Sequence, residues 1–202
     1  MERKKIKDLI IAELKVFWGE EPKDESSDTL TPVIKTNNLS YEGKISYDNL
    51  TLRKIDISKI KDNYLKNGDL LIEKSGGTKT HSVGYVNYFD SENDKYVANN
   101  FILAIRPNDS VVISKYLFYG IRYFYETGKF SDCFNKTTGI QNLKKKSYLS
   151  KELIYRDITN QKKIVEELDS IDSLLERKKE ELSLLDELIK SRFIRQEVTL
   201  CF

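Results

Sequence analysis

The chain is 202 residues long, 39% hydrophobic and 33% charged, with a formal net charge of +2. That length holds one or two domains with a sizeable core, and the near-neutral balance argues against a protein that grips nucleic acid by bulk positive charge alone. No apolar run approaches the ~20 residues that span a bilayer, and Glu13, Lys15 and Glu20 interrupt the apolar opening, so a cytoplasmic protein is expected. Cys133 and Cys201 lie far apart without a CxxC or Cys/His pattern, which points to plain thiols and away from a disulfide framework or a zinc site.

In chain order, Ile6, Leu9, Ile10 and Leu14 recur at helical spacing and predict a helix over Ile6–Phe17. Strands are predicted at Thr31–Lys35, Asp69–Glu73, His81–Tyr88 and Tyr96–Arg106, rich in β-branched and aromatic residues. They are separated by turn formers at Glu42-Gly43, Asn67-Gly68-Asp69 and Ser75-Gly76-Gly77. Ser114–Tyr125 reads as a helix; its six aromatics are too many for one buried stripe, so some are expected at an interface. Near Tyr155 the pattern changes to one long helix running to Gln196, with Thr159 as the expected N-cap. The fold class is therefore α+β: a mixed α/β domain over residues 1–155, a long helix over 156–197 and a tail over 198–202.

Within that helix Ile164, Leu168, Ile171, Leu175, Leu182, Leu185 and Ile189 alternate four and three residues apart, with Lys178 as the polar break. This is the seam of a left-handed coiled coil. Leu174, Leu184 and Leu188 widen the apolar face, so burial against more than one surface is expected. Such a helix, about 55 Å long, exceeds the diameter of the domain before it and calls for an intermolecular partner.

Charge is unevenly spread. Lys115 to Lys151 carries eight bases against two acids, whereas Glu152 to the end carries nine bases against twelve acids. The triplet Lys144, Lys145 and Lys146 suits phosphate contact, although a Lys triplet is as often a solvated loop.

The residues give little support to catalysis. His81 is the sole histidine and has no Ser or Cys nucleophile in a recognisable elbow beside it. Gly76-Gly77-Thr78-Lys79 lacks the GxxxxGK[ST] spacing of a phosphate loop. Asp169 and Asp172 fit the solvated side of the long helix, and no Asn-Pro-Pro-Tyr-like run of an amino-methylase is present. Two polar, glycine-containing loops stand out instead. One is Glu73-Lys74-Ser75-Gly76-Gly77-Thr78-Lys79-Thr80; the other is Asn135-Lys136-Thr137-Thr138-Gly139-Ile140-Gln141-Asn142-Leu143-Lys144. Glycine lets backbone approach a ligand, Ser, Thr and Lys suit phosphate, and Asn, Gln and Lys can bond base edges.

Three segments then appear in a meaningful order. Lys66-Asn67-Gly68-Asp69-Leu70-Leu71-Ile72-Glu73-Lys74-Ser75-Gly76 resembles a "kGDlLi..sG" strand and loop; Thr138-Gly139-Ile140-Gln141-Asn142-Leu143 resembles a "tG.q.l" turn; and Asn160-Gln161-Lys162-Lys163-Ile164-Val165, leading through Leu168, Ile171 and Asp172, resembles "eQ..I...L..iD". Together with lesser matches at Thr31–Leu39 and Asn99-Asn100-Phe101, they are similar to the DNA specificity subunits of type I restriction-modification systems. The usual "iPlPpleeQ" approach to the helix is here Leu153-Ile154-Tyr155-Arg156-Asp157-Ile158-Thr159-Asn160-Gln161, without its prolines.

The resemblance implies a target recognition domain that reads double-stranded DNA without catalysis of its own. It implies modification subunits that methylate adenine with S-adenosylmethionine, and restriction subunits that add ATP- and Mg-dependent cleavage when present. DNA contact is expected from Lys74, Ser75, Gly76, Gly77, Thr78, Lys79, Thr80, Lys136, Thr137, Thr138, Gly139, Gln141, Asn142, Lys144, Lys145 and Lys146. Full-length subunits carry two recognition domains and two antiparallel helices, so a half subunit is expected here, two copies pairing along the seam to read a bipartite palindrome. The alternatives are a decoy that antagonises the complex and a coiled-coil interaction module without DNA binding.

Overall fold

The computed structural model describes residues 2–22, 30–78, 81–92, 95–136 and 140–200. It falls into two compact units, Met1–Gln161 and Lys162–Phe202.

The first unit is built around a four-stranded antiparallel sheet. It contains β2 (Ile10–Glu13), β9 (Ile102–Pro107), β5 (Leu70–Glu73) and β7 (Val86–Tyr88), in the order β2-β9-β5-β7. All four residues of β5 are buried; for Leu70, Leu71 and Ile72 this is expected of a short apolar run covered on both faces. Alternation divides its side chains: Leu70 and Ile72 join Leu103 and Ile105 in one core cluster, while Leu71 joins Ile102 and Ala104 in the other. The helix α2 (Ser114–Glu126) covers the first cluster with Leu117, Phe118 and Ile121.

The second cluster is completed from a three-stranded sheet of β3 (Leu30–Ile34), β4 (Thr51–Lys54) and β8 (Val97–Ala98), which contributes Ile34 and Ala98. Beyond it, Val33 and Val97 pack with Ile55 and with Ile60 of the short helix α1 (Ile57–Ile60). A pair formed by β1 (Arg3–Lys5) and β12 (Glu152–Ile154) joins the chain start to the segment before the long helix. A further sheet, β10 (Phe134–Lys136), β11 (Gln141–Leu143) and β6 (Ser75–Gly76), is followed by the one-turn helix α3 (Lys145–Leu149).

The turn before β5 explains the Gly-Asp of its motif. Gly68 has φ +95°, a conformation that favours glycine. Asp69, almost fully buried, accepts from the Lys66 amide at 2.8 Å and takes a two-point grip from Arg106, Nε at 2.8 Å and Nη2 at 2.7 Å. Arg106 Nη2 also donates to the Tyr64 carbonyl at 2.8 Å, so one ion pair ties the turn to β9 and to the loop before it.

The expected helix over Ile6–Phe17 does not form. Residues Ile6–Leu9 make a 3-10 turn, whose threefold period brings Ile6 and Leu9 inward at a helix-like spacing, and Ile10–Glu13 then continues as β2 against β9. The backbone bond from Leu14 N–H to the Ala104 carbonyl extends that pairing. The strand expected over His81–Tyr88 is confined to Val86–Tyr88 because Gly84, at φ +101°, turns the chain before it. That over Tyr96–Arg106 is split into β8 and β9 by a turn at Asn99–Phe101, where Asn99 Oδ1 accepts from the Phe101 amide. Most α2 aromatics are taken up by packing: Phe118 is buried, Tyr125 donates to the Ser82 carbonyl and Tyr116 to the Ile154 carbonyl, leaving Tyr123 exposed.

The helix α4 runs from Ile158 to Leu200. Its cap is Asp157, whose Oδ1 accepts from the Asn160 amide at 3.0 Å, and not Thr159; a residue one position before the first turn is placed to accept there, whereas Thr159 already lies inside it. The Asn160 amide and side chain hold the Asp157 carboxyl below the usual carboxylate range. Gln161, fully buried, accepts from the Ile113 amide at 2.8 Å and donates to the carbonyls of Arg156 at 2.7 Å and Val111 at 3.3 Å. This explains the glutamine of the third motif. Gln161→Ala strands these backbone groups and is expected to cost about 1–3 kcal/mol. A thermal unfolding scan would register that as a loss of several degrees; an unchanged midpoint would contradict the role.

In the second unit, Ile164 and Leu168 are half-buried, whereas Ile171, Leu175, Leu182, Leu185 and Ile189 are exposed, as are Leu174, Leu184 and Leu188. No helix among the described residues is long and apolar enough to cross a membrane.

Candidate nucleic-acid interface

The two polar loops are neighbours in space. Antiparallel pairing sets Gln141 opposite Gly76 and Asn142 opposite Ser75, joining segments more than sixty residues apart in the chain. Ser75 Oγ donates to Asn142 Oδ1 at 2.7 Å, which leaves the exposed Asn142 amide nitrogen as a donor for a ligand. The Leu143 amide donates to the Lys74 carbonyl at 2.8 Å, extending the ladder by one bond.

Gln141 has a different position from the one expected of a base contact. Its Oε1 accepts from the Val83 amide at 3.3 Å and its Nε2 donates to the Thr78 carbonyl at 3.5 Å, so the side chain staples the glycine loop. A side chain at Gly77, where φ is +71°, would press on that amide at 3.1 Å. The Thr78 amide donates to the His81 carbonyl, and the His81 amide to Thr78 Oγ1, closing the loop's base. Lys79, Thr80, Thr137, Thr138 and Gly139 lie outside the described residues, as does the side chain of Lys136.

The lysine triplet disperses. Lys144 Nζ donates to the Asp132 carbonyl at 3.4 Å, Lys145 pairs with Glu13 at 2.6 Å and Lys146 is exposed on α3. The Lys145–Glu13 bridge is half-exposed on both sides, so it is weak and exchangeable for a phosphate. Cys133 beneath this segment is free and buried, and burial with the Asp132 charge beside it pushes its thiol up to about 11. It behaves as a core side chain.

Sequence reasoning assigned no contact to three residues at this surface. Phe101 is 54% exposed, yet its carbonyl accepts from the amides of Lys74 at 2.7 Å and Ser75 at 3.3 Å. An aromatic ring is thereby displayed on a turn fastened to the polar loop. Tyr41, also exposed, stacks on His81 at 3.7 Å between ring centroids. Glu73, the last residue of β5, is 6% exposed; desolvation by burial raises its carboxyl above the usual range and the Gly77 amide partly offsets this. An acid ending an apolar strand was the available signal for Glu73; Phe101 offered only its Asn-Asn-Phe turn.

Comparison with known proteins agrees with the architecture. The family model described as "Type I restriction modification DNA specificity domain" matches residues 1–184. No curated protein matches the sequence. Among solved structures, the HsdS subunit from Thermoanaerobacter tengcongensis superposes with a TM-score of 0.61 at 14% identity, covering 94% of this chain and 46% of that one. The type I restriction-modification S subunit from M. genitalium gives 0.53 at 16% identity, covering 87% and 40%. A chain from a study of complex assembly and conformational transition of the type I R-M system gives 0.61 at 16%, covering 94% and 46%. The chain thus spans less than half the length of these structures, and at such identities the likeness is one of fold. With its family match over most of its length, its mixed sheets and its long C-terminal helix, the chain belongs to the type I restriction modification DNA specificity domain family.

Proposed function

We propose that this chain reads DNA sequence for a type I restriction-modification complex and leaves the chemistry to partners. The antiparallel pairing of β6 with β11 carries the reading, because it assembles two loops rich in Gly, Ser, Asn and Lys into one polar surface beside an exposed aromatic ring. Among the described residues, Lys74, Thr78, Asn142 and Lys146 are the phosphate or base contacts of this reading, with Ser75, Gly76 and Gly77 allowing close backbone approach. Modification subunits bound to the same complex methylate adenine with S-adenosylmethionine, and restriction subunits, where present, use ATP and Mg to cleave.

The seam of α4 pairs with the α4 of a second copy through the half-buried Ile164 and Leu168 and the exposed Ile171, Leu175, Leu182, Leu185 and Ile189. A twofold reader takes a bipartite palindrome, and the helix sets the spacer between its halves.

A salt titration of binding to duplex DNA tests the reading. Neutralising about 6 phosphates gives a log-log slope of about −5, and Lys74→Ala or Lys146→Ala each lowers its magnitude by about 1. Phe101→Ala weakens binding without changing the slope. Salt-independent retention, or none, would remove the DNA reading. Methylome sequencing of cells that also express the modification subunit then shows a gapped palindromic adenine motif.

A further inference from the structure

Glu73 occupies an unusual place for an acid. It ends the fully buried strand β5 and by alternation shares the face of Leu71, above the cluster that holds Tyr85. The glycine loop lies directly on its carboxyl. Oε1 accepts from the Gly77 amide at 3.3 Å, and a Cβ placed on Gly76, where φ is +134°, would stand 2.5 Å from that same oxygen. Oε2 is buried and has no hydrogen-bond partner among the described residues. The titratable groups facing it are the phenols of Tyr85 from the segment before β7 and Tyr125 from α2. The Tyr41 ring lies against Tyr85 and the stacked His81 lies beyond Tyr41. No ion pair to Glu73 is formed among the described residues, and the Gly77 amide is the one polar contact of its carboxyl there.

We infer that Glu73 is a positioning residue for the DNA-reading loop: its carboxyl holds Gly76-Gly77 in place through the Gly77 amide and takes up a proton when DNA binds. The inference rests on the DNA-reading function proposed above. A buried carboxyl with one weak amide donor and no cation is poorly compensated as an anion, and its raised proton affinity agrees with that geometry. A polyanion laid on β6 and β11 adds negative potential directly above it, which favours the neutral form further. By linkage, DNA and the proton then strengthen each other's binding, and affinity falls as pH rises through the window between the free and bound proton affinities. Burial of Tyr125 holds its phenol up to about 12, and that of Tyr85 higher still, so neither titrates in that window.

The test measures affinity of the full chain for a mixed-sequence duplex at constant salt, across the pH range over which the chain stays folded, by fluorescence anisotropy, beside Glu73→Gln. Glutamine keeps the shape and the acceptor for Gly77 but cannot titrate. Wild type is expected to weaken by up to about tenfold per pH unit inside the window, and Glu73→Gln to bind at alkaline pH at least as tightly as wild type, with a shallower pH dependence. His81 is present in both chains, so the difference between them reports Glu73. Calorimetry of the His81→Asn chain, in two buffers of different ionisation enthalpy, gives proton uptake independently of the Glu73 variant. Equal pH dependence in wild type and Glu73→Gln, or no proton uptake by His81→Asn, overturns the inference while leaving DNA reading intact. Absence of DNA binding at every pH overturns both.

Discussion

Asp69→Ala is expected to cost about 3–5 kcal/mol of stability, because it removes one half of a buried pair and leaves the other half behind. Arg106 would keep its bond to the Tyr64 carbonyl but lose both bonds to the carboxylate, with a side chain only 17% exposed to water. The guanidinium is now held protonated first by those hydrogen bonds, against the opposing effect of burial. A loss of that size is a large share of the 5–15 kcal/mol typical of a folded domain. Urea denaturation measures it. The pairing of Asp69→Ala with Arg106→Leu should recover part of the loss, since no buried charge is then left alone. Lys145→Ala is the contrast: it breaks an ion pair of similar length, but a half-exposed one, and should change stability by less than about 1 kcal/mol. Equal losses from the two single substitutions would refute this account.

Leu182→Lys combined with Leu185→Lys should abolish pairing of the long helix. Both leucines are more than half exposed in the single chain. Burying each contributes roughly 1.5–3 kcal/mol, and a twofold interface counts each substitution twice, so about 6–12 kcal/mol of association is removed. That exceeds what a micromolar dimer has to lose beyond a weak residual contact. Sedimentation velocity separates the outcomes. Wild type is expected as a dimer and the variant as a monomer with unchanged helix content. A monomeric wild type sinks the seam as a self-pairing surface, and a dimeric variant places the interface elsewhere.

Several elements were legible because their causes are local. The unbroken apolar run of β5 has the composition of a strand covered on two faces, and it is one. Ser114 to Glu126 carries apolar residues at helical spacing without an interrupting proline and forms α2. The long helix was visible as a repeat, although its cap was not: Asp157 and Thr159 are both competent residues, and the structure places Asp157 one residue before the first turn. The start of the chain was misread because a 3-10 turn repeats every three residues, close enough to an α-helix for Ile6 and Leu9 to mimic one. Its continuation as β2 depends on β9, almost a hundred residues later.

For function the same boundary holds. The amino acids alone determined that two loops carry glycine, hydroxyl, amide and lysine groups, that apolar residues repeat in heptads along the long helix, and that the chain resembles the specificity family. Those properties follow from residue type and short-range spacing. Only the tertiary structure decided that the loops form adjacent strands, that Gln141 is a staple, that Phe101 is displayed beside Ser75 and that Glu73 is buried beneath Gly76 and Gly77. Each of these depends on which distant strand supplies the next row of backbone hydrogen bonds, and a register between segments more than sixty residues apart is fixed by the packing of the whole core.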